Sequence, residues 1–120
     1  MIKSLLATLF LIGIFATGVS AIVDLADKRK DQDLYIMYSY MDQIYKIGRS
    51  NNPYRRRKEI DLYVDGEVVL LKIYPYKGYL EHEIHTIMEK RNVDTEYGRE
   101  WFTLNHDDLC LIDAIILMHQ

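Results

Sequence analysis

Apolar and polar positions along this chain alternate, then run together, then recur at helical spacing, and each pattern marks a different element. Leu34-Tyr35-Ile36-Met37-Tyr38-Ser39-Tyr40 and Ile44-Tyr45-Lys46-Ile47-Gly48 are dense in aromatic and β-branched residues, with Met41-Asp42-Gln43 between them as a turn. The pair predicts a β-hairpin. With Asp42-Gln43 as a two-residue loop, Met41 stands opposite Ile44. Tyr35, Met37, Ser39, Lys46 and Gly48 then share one face; Ile36, Tyr38, Tyr40, Tyr45 and Ile47 share the other, which is the expected core side.

Asn52-Pro53 supplies an N-cap and a proline whose fixed φ suits the first helical position, so a helix is expected from Pro53 to about Leu62. Its N-terminus would aim free N–H groups at an anion. Asp65-Gly66 reads as a turn. Val68 to Tyr74 is an apolar run broken only by Lys72, the pattern of a covered strand, and Pro75 ends it. Leu80, Ile84, Ile87 and Met88 recur at helical spacing and predict a second helix from Gly78 to about Arg91, with Glu81 and His85 along one edge of its apolar stripe. Glu100 to Leu104 reads as a short strand or extended segment in which Trp101 packs as core and Glu100 is a polar anchor that could also face the site. Asn105 with Asp108 three residues on then starts a last helix through Leu109, Ile112, Ile115 and Ile116. The class is α/β in the α+β sense: a mainly antiparallel three-stranded sheet flanked by helices, without internal repeats.

Upstream, Ser4 to Val23 is a stretch of 20 residues without a charge, preceded by Lys3 and followed by Asp24, Asp27 and Lys28-Arg29-Lys30. Two readings fit it. As a secretory signal it has an apolar stretch from Leu5 to Phe15 and a small-residue region ending in Val19-Ser20-Ala21, with cleavage after Ala21; export is the favoured location. As a membrane anchor it is just long enough to cross the hydrocarbon, with Lys28-Arg29-Lys30 holding the domain on the cytoplasmic side. The absence of any polar face argues against a helix of the domain itself. Residues 1–23 are thus a signal or an anchor, 24–32 a charged linker, and 33–120 one domain.

Charge narrows the function. The whole chain carries −3, and residues 31–120 carry −5, from 11 basic against 16 acidic side chains, which argues against a protein that coats nucleic acid indiscriminately. The distribution is uneven: Lys46, Arg49, Arg55, Arg56, Arg57 and Lys58 follow one another with no acid between them, a local patch able to meet phosphates. The one cysteine, Cys110, lies in an apolar run and is expected to be a buried structural thiol; no intramolecular disulfide is possible. His82-Glu83-Ile84-His85 lacks the spacing of the H-E-x-x-H zinc helix.

These landmarks together resemble the GIY-YIG nuclease superfamily over roughly Leu34 to Leu104. Asp33-Leu34-Tyr35 stands where the first tripeptide would be and Lys46-Ile47-Gly48 where the second would be. Gly48-Arg49-Ser50-Asn51-Asn52-Pro53-Tyr54-Arg55-Arg56 puts Arg56 at the family's arginine position, and Leu80-Glu81-His82-Glu83-Ile84-His85 is similar to its glutamate helix. The Y-K-I-G form, the N-P-x-x-R turn and the later E-W-F are similar to a phage and viral subgroup described as DNA-binding. Two departures accompany the match: Lys46 replaces a tyrosine, and the family's terminal asparagine has only Asn92 and Asn105 as imperfect candidates.

The resemblance implies a metal-dependent endonuclease cutting DNA with one Mg²⁺ or Mn²⁺ ion. Tyr35, Lys46, Arg56 and Glu81 are the implied catalytic residues and Glu81 the implied metal ligand. Arg49, Arg55, Arg57 and Lys58 are the candidate contacts to the DNA backbone. The alternatives are a non-catalytic DNA-binding module of the same fold, or a membrane-associated or exported interaction protein, held at the membrane by residues 4–23 if they are uncleaved. The residue types suit the chemistry: one carboxylate holds an ion that keeps most of its waters, and arginine pairs bidentately with phosphate. Tyr35 works as a base only if a cation such as Lys46 on its own face, or the metal, lowers its pKa from about 10.

Overall fold

The computed structural model describes residues 31–120. The signal-or-anchor segment and the linker as far as Lys28-Arg29-Lys30 lie outside the described residues. Among the described residues no helix is long and apolar enough to cross a membrane.

Strand β1 (Asp33–Ser39) and strand β2 (Ile44–Ser50) form the hairpin; helix α1 (Pro53–Asp61) and strand β3 (Val68–Tyr74) follow. Helix α2 (Glu81–Ile87), strand β4 (Trp101–Phe102) and helix α3 (His106–Leu117) complete the domain. The sheet has four strands, not three, because Trp101-Phe102 joins it; the order is β3-β1-β2-β4 with every neighbouring pair antiparallel.

The hairpin loop is longer than the sequence suggests. Ser39 pairs with Ile44, so Tyr40 to Gln43 form a four-residue loop instead of two. Gln43 takes a left-handed φ of 56° and donates its N–H to Ser39 O at 2.8 Å. Two residues of slip leave the faces intact because side chains repeat every second residue. Both faces, however, are buried. Ile36 and Ile47 pack with Leu80, Ile84, Phe102 and Ile112 under α2 and α3, while Tyr35 and Met37 pack with Ile60, Val68 and Trp101 under α1. Each face is covered by its own helices, so neither hairpin face is solvent-facing.

Helix α1 starts as its sequence dictates: the Asn52 side chain accepts from Arg55 N at 3.1 Å and Pro53 sits in the first turn. Helix α3 opens with a reciprocal box, Asn105 Oδ1 accepting from Asp108 N at 2.8 Å and Asp108 Oδ2 from Asn105 N at 3.0 Å. The second helix is shorter than the expected 78–91. A 3₁₀ turn at Gly78–Leu80 precedes it, and after Met88 a second at Glu89–Arg91 follows. Strand β3 is an edge strand and half exposed, not covered; Leu71 is its bulge, lying between Lys72 opposite Ile36 and Leu70 opposite Met37. Cys110 is exposed, not buried, because α3 turns Ile112, Ile115 and Ile116 inward and leaves Cys110 and Leu111 outside.

Candidate functional site

The site forms where β4 leaves the outer edge of β2. Strand β4 pairs only Phe102 with Tyr45 and Trp101 with Lys46; one further backbone bond runs from Ile47 N to Glu100 O at 3.1 Å. The Ile47 carbonyl is met by His85 Nε2 from α2 at 2.7 Å instead of by a strand, and the His85 ring lies 5.1 Å from that of Phe102. One residue further along the same edge is Gly48. Tyr35, its partner across the hairpin, lays its ring over that glycine: a Cβ there would stand 2.4 Å from the phenol oxygen and 2.5 Å from Cζ. Glycine at 48 is thus what lets the Tyr35 hydroxyl reach across β2.

Around this point the charged side chains converge. Lys46 Nζ, almost wholly buried and 5.5 Å from the centre of the Trp101 ring, pairs with Glu100 Oε1 at 2.8 Å. Arg49 Nη1 pairs with Glu81 Oε1 at 3.0 Å. Arg56 donates to the Tyr35 hydroxyl and to Glu59 Oε1, the latter at 3.2 Å. Burial pushes the Tyr35 phenol well above its ordinary range; the Arg56 bond opposes this, while Glu100 and Glu81 add to it. Glu81 is also pushed up, by burial first and by the Glu100 charge second, against the pull of His85, Arg49 and Lys46. Two carboxylates therefore press on one another across a small, partly dry site.

The fold brings Tyr35, Lys46, Arg56 and Glu81 into this one cluster, although they stand on β1, β2, α1 and α2. One expected coupling is absent. Lys46 does not lower Tyr35: its ammonium is committed to Glu100, and the phenol moves up instead. Of the expected DNA contacts, Arg49 holds Glu81, and Arg57 donates to Val68 O at 3.2 Å, tying α1 to β3. Arg55 and Lys58 face solvent, Arg55 near Asn51 and Glu59. The two asparagines have structural work. Asn92 Nδ2 donates to Arg99 O at 2.6 Å and Trp101 O at 3.1 Å, and Asn105 caps α3. Glu100, read from the sequence as a polar anchor able to face the site, does so by pairing with Lys46, and His85 joins the site without a role read from sequence; the i,i+4 spacing of Glu81 and His85 on one helix was the signal available for it.

A family comparison bears on this geometry: the T5orf172 domain matches residues 32–116, which contain the whole sheet, α1, α2 and every site residue. The chain belongs to the T5orf172 domain family. That family is a phage-derived domain associated with HNH/GIY-YIG-like nucleases. No curated protein and no solved structure matches the chain.

A divalent ion suits part of this T5orf172 site. Among the described residues no three His, Cys, Asp or Glu side chains converge as a protein cage would require. Mg²⁺ does not need one, since it is commonly held by one or two carboxylates and retains its waters. Glu81, half-buried and repelled by Glu100, is the carboxylate whose charge such an ion would relieve.

Proposed function

We propose that this T5orf172 domain is an endonuclease of GIY-YIG type that hydrolyses phosphodiester bonds in DNA with one divalent ion. The observation that carries the reading is the convergence of Tyr35, Lys46, Arg56 and Glu81 at Gly48, where a glycine is sterically required. Arg56, which donates to a phenol and a carboxylate, would donate to phosphoryl oxygens instead once the phosphate enters. Tyr35 keeps its proton at neutral pH and serves as a neutral donor to the phosphate, not as the base. Lys46 and Arg49 offset negative charge as the phosphate enters. Glu81 would hold Mg²⁺ or Mn²⁺, which supplies Lewis-acid stabilisation of the phosphoryl oxygens when bound.

Incubating the full chain with supercoiled plasmid and Mg²⁺ or Mn²⁺ should give nicked circles, and Glu81→Ala should abolish them. Equal nicking by that variant would overturn the site. A second reading, a DNA-binding module without cleavage, is favoured by the structural use of both Asn92 and Asn105. It requires salt-sensitive DNA binding and no metal-dependent product. For location, we propose export with cleavage after Ala21; an intact mass lacking residues 1–21 supports it, and a full-length product that pellets with membranes overturns it.

A further inference from the structure

We propose that two copies of this chain pair through the outer side of α3, antiparallel, about a two-fold axis at Ala114. The inference goes beyond the nuclease reading and does not rest on it. Helix α3 has two apolar sides. Ile112, Ile115 and Ile116 are buried against the sheet with Ile36, Ile47 and Phe102. Cys110, Leu111, Ala114, Leu117 and Met118 are exposed, Leu117 at 66 % and Met118 at 71 %. At 3.6 residues per turn these five fall within an arc of roughly 120° with Ala114 near its middle, on the side turned away from the sheet. Single apolar side chains on a surface are ordinary, but a continuous stripe at steps of three and four is the pattern of a helix that packs on another helix.

The stripe fits a second copy of itself. With Ala114 at the crossing, Leu111 meets the partner's Leu117 and Cys110 meets the partner's Met118. Large side chains then flank a small one, which lets the two axes approach to about 8 Å. The ends agree with this direction. Asp107 is exposed and lies on the line of the stripe one turn ahead of Leu111. At the other end Lys77 Nζ sits on the His119 carbonyl at 2.8 Å. Antiparallel pairing brings each Asp107 toward the lysine end of the other copy and sets each helix N-terminus beside a C-terminus. Parallel pairing would instead put two aspartates together.

The charge of α3 argues against other occupants. Its charged side chains are Asp107, Asp108 and Asp113, with no lysine or arginine, so neither DNA phosphates nor an anionic lipid surface suits it. The contact is one helix of 12 residues, about 18 Å long, so the pair is a weak one with dissociation in the micromolar range.

Cysteine cross-linking in the full chain tests the pairing and its register. In the wild type the two Cys110 residues would lie about 12 Å apart along the antiparallel helices, beyond the reach of a disulfide. Met118→Cys places a thiol opposite the partner's Cys110, and the same spacing prevents a bridge within one chain. Oxidation with diamide should therefore convert Met118→Cys to a disulfide-linked dimer and leave the wild type unlinked. Adding Ala114→Arg, which puts a charge at the crossing, should lower the linked fraction about tenfold or more. Ala114 is exposed, so circular dichroism of that variant should match the wild type. Sedimentation of the wild type should show a concentration-dependent dimer that Ala114→Arg removes. A wild type that links through Cys110 as readily as Met118→Cys overturns the register. Linking that survives Ala114→Arg, or a Met118→Cys chain that stays monomeric on oxidation because residues 4–23 cover the stripe instead, overturns the proposal.

Discussion

Two clusters in this domain are built from the same materials and behave in opposite ways. At the outer side of β3, Lys72 Nζ pairs with both carboxylate oxygens of Asp113 at 2.9 and 2.8 Å, and the Tyr74 hydroxyl donates to the same carboxylate. Those two bonds hold Asp113 below the usual carboxylate range, Lys72 first and Tyr74 second. At the β2 edge, Glu81 also has a cation, Arg49, yet burial and Glu100 push it above that range. The first cluster has one carboxylate for two donors and is content with its charge. The second crowds two carboxylates into a drier place and is not. A network with settled charge ties α3 to the sheet; a network with unsettled negative charge is one that a cation or a proton can relieve, which is the behaviour expected of a working site.

The comparison breaks most visibly at Glu81. Glu81→Gln should cut nicking by at least about 10²-fold, as loss of a charge-stabilising group does. Its melting temperature at pH 7 should nevertheless equal or exceed that of the wild type. The sign follows from the upward shift: ionising Glu81 costs folding free energy once the pH rises past the ordinary value of about 4.3, and the amide removes that cost. A clear drop in melting temperature would mean that the Arg49 pair is structural and the cluster is not poised.

Gly48→Ala comes next. Its methyl group would collide with the Tyr35 ring, so the expected cost is about 1–3 kcal/mol by chemical denaturation, with nicking lost as the phenol is displaced. Adding Tyr35→Ala should remove most of that cost, and a double-mutant cycle with no coupling would show that the ring can move freely.

Asp113→Asn should lower stability by about 1 kcal/mol, roughly 4–8 °C in melting temperature, with nicking unchanged. Because Asp113 is depressed in the fold, its contribution is present above about pH 3.9 and is lost as the pH falls through its lower folded value. The gap between variant and wild type should therefore close in acid. The smallest effect belongs to Arg55, which faces solvent: Arg55→Ala should weaken DNA binding a few-fold and reduce the salt slope by about 0.9 if it meets one phosphate.

Much of the scaffold was legible because its signals are local. Asn52-Pro53 and Asn105 with Asp108 set helix starts by bonds that span three residues, and both formed. The hairpin faces survived an error in its loop, since a slip of two residues returns every side chain to the same side. The missed features are those that depend on a neighbour distant in sequence. Whether Val68–Tyr74 is covered or at an edge depends on where other strands dock, and Trp101-Phe102 took the opposite edge, beside β2. Cys110 faces outward because α3 presents a different side to the sheet.

For the site, the order of the motifs and their resemblance to the GIY-YIG superfamily singled out Tyr35, Lys46, Arg56 and Glu81, which the fold gathers into one cluster. Which of them act on each other was decided only in three dimensions. Lys46 and Glu100 are 54 positions apart and meet at 2.8 Å, which takes the lysine away from Tyr35. His85 meets the Ile47 carbonyl 38 positions away because β4 ends where it does. Pairing between charges falls off within a few ångströms and burial is set by whatever packs above, so charge state and proton roles belong to the assembled fold.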